Sequence, residues 1–350
     1  MQFQLSHPLI ETSGRILEHE NISYLGFSGS FIRFQMLGTK ASITIISDCM
    51  EREEIYNAWF EVYLNGATTP HKRFCLHSKE AEYILFESSI ATNVTIQLLR
   101  LTESQYATSG IRHIFIDGDL IHLPKIKYNG SIEFIGDSVT CGFGNEAANA
   151  ETPFTTAQEN VTKAYAYLTA QKLNLEYHLV AHSGIGVLSS YTQEDVPNES
   201  ILMPELYPYT DLDTSRSLGL KYPPLWNFGK FQPKIVVVNL GANDRSYTKG
   251  IKDRVEQFGC RYEEFLAMVR KFHPNAQIIC CLGVTGDELF PEICNRVEHY
   301  IRINQEEKIV TLRFPLQNIK DGIGACNHPS MKTHEKMSEL LVTEIKKYLI

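Results

Sequence analysis

After Pro124, solid apolar runs alternate with helical segments, and this alternation constrains the fold more than anything else in the 350-residue chain. The runs are IEFIG (132–136), YHLVA (177–181), KIVVVNLG (234–241), QIICCLGV (277–284) and KIVTLRF (308–314). Their lack of polar alternation marks strands buried on both faces. VTKAYAYLTAQKL, KDRVEQFGCRYEEFLAMVRKF, DELFPEICNRVEHYIR and HEKMSELLVTEIKKYL lie between or after them and read as helices. Strand alternating with helix implies right-handed crossovers and a parallel sheet covered on both faces. A doubly wound, five-stranded α/β domain is expected over 126–350.

Residues 1–125 have another texture. SFIRFQM puts Ile32, Phe34 and Met36 on one face and Arg33 and Gln35 on the other; ASITIIS, FEVYLNG and NVTIQLLRL repeat the pattern. Asn65-Gly66 and Asp117-Gly118 read as hairpin turns. Many short alternating strands predict an all-β domain of the β-sandwich or jelly-roll kind. The stretch from 190 to 230, rich in Pro, Tyr and Asp, reads as a long ordered loop, the kind that often carries function.

A net charge of −8 argues against nucleic-acid or anionic-membrane partners, which need a basic patch. No apolar run approaches the ~18 residues of a membrane span. Eight cysteines show neither a CxxC pair nor ligand-like spacing, so no metal, no cofactor and no disulfide framework is implied. The first residues, MQFQLSHPLIETSGR, lack the marks of a signal peptide, and a cytoplasmic protein with reduced thiols is expected.

In an open parallel sheet, ligands bind beyond the carboxyl ends of the strands. The first such end runs into Gly-Asp-Ser138, the second into AHSGIGV with Gly184, and the third into NLGANDRS with Asn243. The loop after the fifth reads GACNHPS, with His328. A serine hydroxyl needs an imidazole to take its proton. The resulting oxyanion needs donors, and the N–H of Ser138, the N–H of Gly184 and the amide of Asn243 are candidates. Singly, each has a plainer reading: a turn, a helix cap or Asx-turn, a loop histidine. His334 is expected to open the last helix rather than act.

Together these blocks resemble the SGNH (GDSL) hydrolases: Gly-Asp-Ser138, Gly184, Gly-x-Asn-Asp at 241–244 and His328, in the family's order. GRILEHENISYLGFSGSFIRFQMLGTKASITI, GDSVTCGFGNE and LWNFGKFQPKIVVVNLGAND further resemble carbohydrate-esterase family 2. That resemblance implies a jelly roll joined to an SGNH domain, and removal of O-acetyl groups from xylan, glucomannan and related sugars. Ser138 is then the nucleophile and His328 the base. The family's aspartate, three or two residues before the histidine, is replaced here by Ala325 and Cys326. Neutralising that aspartate in a serine protease costs about four powers of ten in turnover. A backbone carbonyl orienting the imidazole in a Ser–His dyad is the favoured solution, with Asp321 folding back, or a slow or dead enzyme, as alternatives.

An acetyl-sugar esterase should place aromatic rings near the serine. Phe143 and Trp226 are the candidates, although Trp226 is equally suited to pack in the core under its loop. The expected partner is an acetylated oligosaccharide. The β-domain, lacking evident ligand residues, leaves room for an assembly role and hence a homo-oligomer. The rival functions are a lipid esterase or thioesterase of the same superfamily, and a carbohydrate-binding protein with decayed catalysis.

Overall fold

The structure, a computed structural model, describes residues 1–349, which divide into two compact units. The seam falls at Lys127/Tyr128, two residues beyond the expected boundary. The second block is not continuous: residues 155–159 and 210–224 belong to the first unit.

The first unit is a curled antiparallel sheet of β1 (Gln2–Phe3), β2 (Ile10–Ser13), β3 (Ile16–His19), β4 (Ile22–Leu25), β5 (Phe31–Ser47), β6 (Trp59–Leu64), β7 (Lys72–Cys75), β8 (Glu80–Arg100) and β9 (Ser109–Ile121). The order is β3-β4-β9-β5-β8-β6-β7, with β1 added to β9 and β2 to β5. The expected alternation holds on β5, where Ile32, Phe34 and Met36 are fully buried. Arg33, on the other face, is also covered, because β2 pairs alongside and Glu11 takes the guanidinium in an ion pair.

Two expectations needed correction. SFIRFQM and ASITIIS are not separate strands but halves of the 17-residue β5, which bends at a register shift between Gly38 and Lys40. Asp117-Gly118 is not a hairpin turn: it lies inside β9, with Gly118 opposite Gly38. Backbone packs on backbone there. A Cβ on Gly118 would meet the Leu37 carbonyl at 2.3 Å, and one on Gly38 the Asp117 carbonyl at 2.1 Å. The glycines serve the bend.

The second unit holds the parallel sheet of β10 (Gly130–Gly136), β11 (Leu175–Ala181), β12 (Ile235–Asn239), β13 (Gln277–Gly283) and β14 (Ile309–Phe314), ordered β11-β10-β12-β13-β14. Its main helices are α1 (Ser138–Cys141), α2 (Tyr165–Leu173), α3 (Met203–Leu206), α5 (Asp244–Thr248), α6 (Lys252–Phe272), α7 (Phe290–Asn304) and α8 (Met331–Ile345); α4 (Leu212–Ser217) lies in the first unit. α6 buries Phe258, Tyr262, Phe265, Leu266 and Val269, the stripe its sequence period predicts. From β10 the chain passes to β11 on one side, and from β11 it crosses to β12 on the other, so the topological switch lies beside the carboxyl end of β10. In register, Gly136 stands opposite both Ala181 and Asn239. The three chains therefore leave the sheet at one level.

Candidate active site

Asp137 caps α1, its Oδ1 accepting the Val139 N–H at 3.0 Å, and Ser138 occupies the first helical position. Gly136 is required just before: a Cβ there would lie 2.0 Å from the Thr140 hydroxyl. The resulting corner leaves Ser138 largely buried, with its Oγ 2.9 Å from Nε2 of His328.

His328 is oriented by backbone. Its Nδ1 lies 3.2 Å from the carbonyl oxygens of both Ala325 and Cys326. Carbonyls only accept, so Nδ1 carries the proton and Nε2 is left to accept the serine hydroxyl. This assigns the tautomer that a general base needs. The two carbonyls converge because Cys326 and Asn327 both take the left-handed conformation, at φ 51° and 61°. Burial pulls the imidazole below its ordinary pKa, while the two carbonyls pull it up. Asp321 does not reach this ring; both its oxygens hold Nζ of Lys336, at 2.6 and 2.7 Å. His334 opens α8, fully buried, its Nδ1 accepting from the Tyr165 amide at 3.2 Å.

The donors are more varied than their types suggest. Among the described residues, the backbone N–H groups of Ser138 and Gly184 meet no acceptor. Gly184 needs its glycine for φ +84°, not for crowding, since a Cβ there would meet nothing within 4 Å. The Asn243 amide is occupied: its Nδ2 donates to the Ile185 carbonyl at 2.9 Å and to Asp137 Oδ2 at 3.2 Å. An oxyanion would have to replace Asp137 on the longer bond. Asp244 is an anchor: fully buried, it accepts from the amides of Val187, Leu188 and Ser189 at 2.7–3.2 Å and fixes the loop after Gly184. Burial pushes its carboxyl up to about 6 despite those three donors.

The model of the GDSL-like lipase/acylhydrolase family matches residues 134–311, and that of the carbohydrate esterase 2 N-terminal domain matches residues 12–124. A solved family two carbohydrate esterase from Clostridium thermocellum, in complex with cellohexaose, superposes with a TM-score of 0.83 at 30% identity, covering 97% of this chain and 99% of that one. The chain belongs to the GDSL-like lipase/acylhydrolase family, and within it to carbohydrate esterase family 2. A cellulase/esterase, CelE, of Acetivibrio thermocellus is 32% identical over 92% of this chain, which spans only 37% of that relative's length. An acetylxylan esterase/glucomannan deacetylase of Cellvibrio japonicus is 27% identical over 72% of this chain and 68% of its own.

In this family 2 member, neither aromatic residue expected to meet a sugar offers it a face. Phe154 stacks on Phe143 at 3.6 Å between centroids and 11°, closing one side. The His328 ring, 4.4 Å away and tilted 40°, is too near to be edge-on and covers the other. Trp226 is buried near His178, 6.0 Å between ring centroids. His178 stands three residues before the end of β11, roughly 10 Å below the strand ends. Tyr191, 54% exposed, lies on the loop that follows Gly184. Its amide donates to the Gly184 carbonyl at 2.8 Å, and its own carbonyl accepts from Asn198. The sequence of this loop is rich in tyrosine, and only the fold reveals which tyrosine lies against Gly184.

Proposed function

We propose that this chain is a serine esterase removing O-acetyl groups from xylan- or glucomannan-type oligosaccharides. The observation that carries the reading is the 2.9 Å contact between Ser138 Oγ and a correctly tautomerised His328 Nε2. Ser138 Oγ attacks the acetyl carbonyl carbon as its proton passes to Nε2, and the imidazolium is held through Nδ1–H by the carbonyls of Ala325 and Cys326. The N–H groups of Ser138 and Gly184 meet the oxyanion first, and the Asn243 amide joins by leaving Asp137; each donor lowers the barrier by about 3–4 kcal/mol. Collapse expels the sugar oxygen, which takes the proton from Nε2. A water, deprotonated by His328, then releases acetate from acetyl-Ser138. Tyr191 supplies the exposed ring on which the sugar stacks. The relatives' activities support the acetyl-sugar substrate. A cytoplasmic setting, with imported oligosaccharides as substrate, belongs to the same proposal. Eight cysteines, none in a disulfide, suit it, and cell fractionation tests it.

The decisive experiment follows acetate release from acetylated xylan and mannan oligosaccharides. Ser138→Ala should lose at least a thousandfold in turnover while remaining folded. Full activity in that variant overturns the mechanism. Failure of the wild type to take a fluorophosphonate label on Ser138 would favour a binding protein instead.

A further inference from the structure

We propose that Phe143 is the positioning residue of the base: its ring face steadies the imidazolium of His328, where a carboxylate would otherwise stand. The inference rests on the Ser–His reading above and goes beyond it in naming what offsets the missing acid.

Three observations support it. The turn from 142 to 144 touches nucleophile and base alike. Gly142 N–H and Phe143 N–H both donate to the Ser138 carbonyl, at 3.0 and 3.1 Å, while the Gly144 carbonyl accepts the Ala325 N–H at 3.0 Å. A Cβ on Gly144 would come within 2.7 Å of the Ala325 Cβ, so backbone docks directly on the histidine's loop. Second, the Phe143 ring is fixed from behind by Phe154 and presents its other face to His328. Third, proton transfer from Ser138 creates a cation in a half-buried place where, among the described residues, burial and the carbonyls of Ala325 and Cys326 act on the ring and no carboxylate does.

The ionisable groups nearby are otherwise engaged. Asp137 is committed to the Val139 amide and Asn243. Asp321 is committed to Lys336, and buried His334 is held neutral. Cys326 contributes its carbonyl, its thiol being exposed. An aromatic face is negative and attracts a cation more strongly once water is excluded. It therefore favours the protonated ring, and removing it should make the imidazole harder to protonate.

The test compares Phe143→Leu and Phe143→Tyr with wild type on a soluble acetyl ester, alongside an NMR titration of the His328 ring. Phe143→Leu should lower kcat roughly tenfold, change KM less than twofold, and move the acid limb of the rate profile down by roughly one pH unit. Phe143→Tyr should restore both. Should the leucine variant not fold, 3,4,5-trifluorophenylalanine at 143 keeps the shape and weakens the face; it should give the same shift in smaller measure. An unmoved acid limb with unchanged kcat overturns the proposal, as does a change confined to KM, which would make Phe143 a sugar contact. The ring titration needs no turnover. An inactive wild type whose His328 still shifts in Phe143→Leu would therefore refute the esterase reading and leave this one standing.

Discussion

A histidine that must accept a proton has to be neutral when substrate arrives, and His328 is helped to be so by burial. Its folded pKa lies below the ordinary 6.5, so the base stays competent as the solution acidifies. The acid limb of kcat/KM should accordingly fall below pH 6.5, read from a pH–rate profile on a soluble acetyl ester. A limb above that value would show a carboxylate partner or another base. Asp321→Asn should leave kcat within twofold of wild type. It should cost only about 0.5 kcal/mol in denaturant unfolding, because it breaks an ion pair whose lysine is exposed. The residues that meet at the strand ends were legible because strand ends carry their own punctuation: Ser138, Gly184, Asn243 and His328 each follow a solid apolar run. What orients His328 was not legible beyond its class, since a carbonyl belongs to every residue and only the local φ decides where it points. The same reason hid the partners of Phe143, whose two faces are filled by residues 11 and 185 positions away.

Among the elements, the turn over 325–327 holds two successive left-handed residues neither of which is glycine, as Glu20 and Asn21 also do between β3 and β4. A left-handed non-glycine residue costs about 1–2 kcal/mol, whereas glycine adopts the conformation freely but loses about as much through unfolded-chain entropy. Cys326→Gly should thus be close to neutral in denaturant unfolding and keep its activity. Cys326→Val, β-branched at a position of φ 51°, should lose roughly 2 kcal/mol or more and reduce kcat, because the 325 and 326 carbonyls would turn away from Nδ1. Equal activity in the two variants would dissociate the turn from the base. Elements with a strong period were legible almost to the residue, as α6 over Lys252–Phe272 shows. β5 was not: its bend at Gly38 breaks the alternation, and a bent strand reads in sequence like two strands and a turn.

At the scale of the whole molecule, the sheets were legible and the path of the chain between the units was not. Nothing periodic marks residues 155–159 or 210–224 as parts of the first unit. Residues 155–159 are held by polar contacts: Thr156 Oγ1 donates to the carbonyls of Ile55 and Asn57, at 2.9 and 2.7 Å, and Arg73 to that of Ala157 at 2.8 Å. From 210–224, Leu218 and Leu220 pack on the cluster of Leu17, Ile22 and Tyr24. Asp211 is buried there beside Gly26, where any Cβ would strike its carboxylate. Burial first, and neighbouring Asp213 second, push its pKa from 3.8 up to about 6. A carboxyl raised in the folded state contributes stability that is complete below pH 3.8 and lost as pH climbs through about 6. Asp211→Asn, which can still cap α4, should therefore be more stable than wild type by roughly 2 kcal/mol at pH 7, and by nothing at pH 3.5. Thermal unfolding at the two pH values reads the difference; an advantage that does not shrink on acidification would refute the assignment.

The interleaved chain also limits how the protein can be dissected. A fragment ending at Lys127 carries every strand of the curled sheet, yet lacks the Thr156 hydroxyl, Glu159 and Asp211, and with them acidic neighbours of the fully buried Arg100. The complementary piece, started at Tyr128, exposes two stretches whose proper surroundings have been cut away. No single scission yields either half whole, so gene fusions and domain swaps in this scaffold must exchange three separate stretches of sequence together.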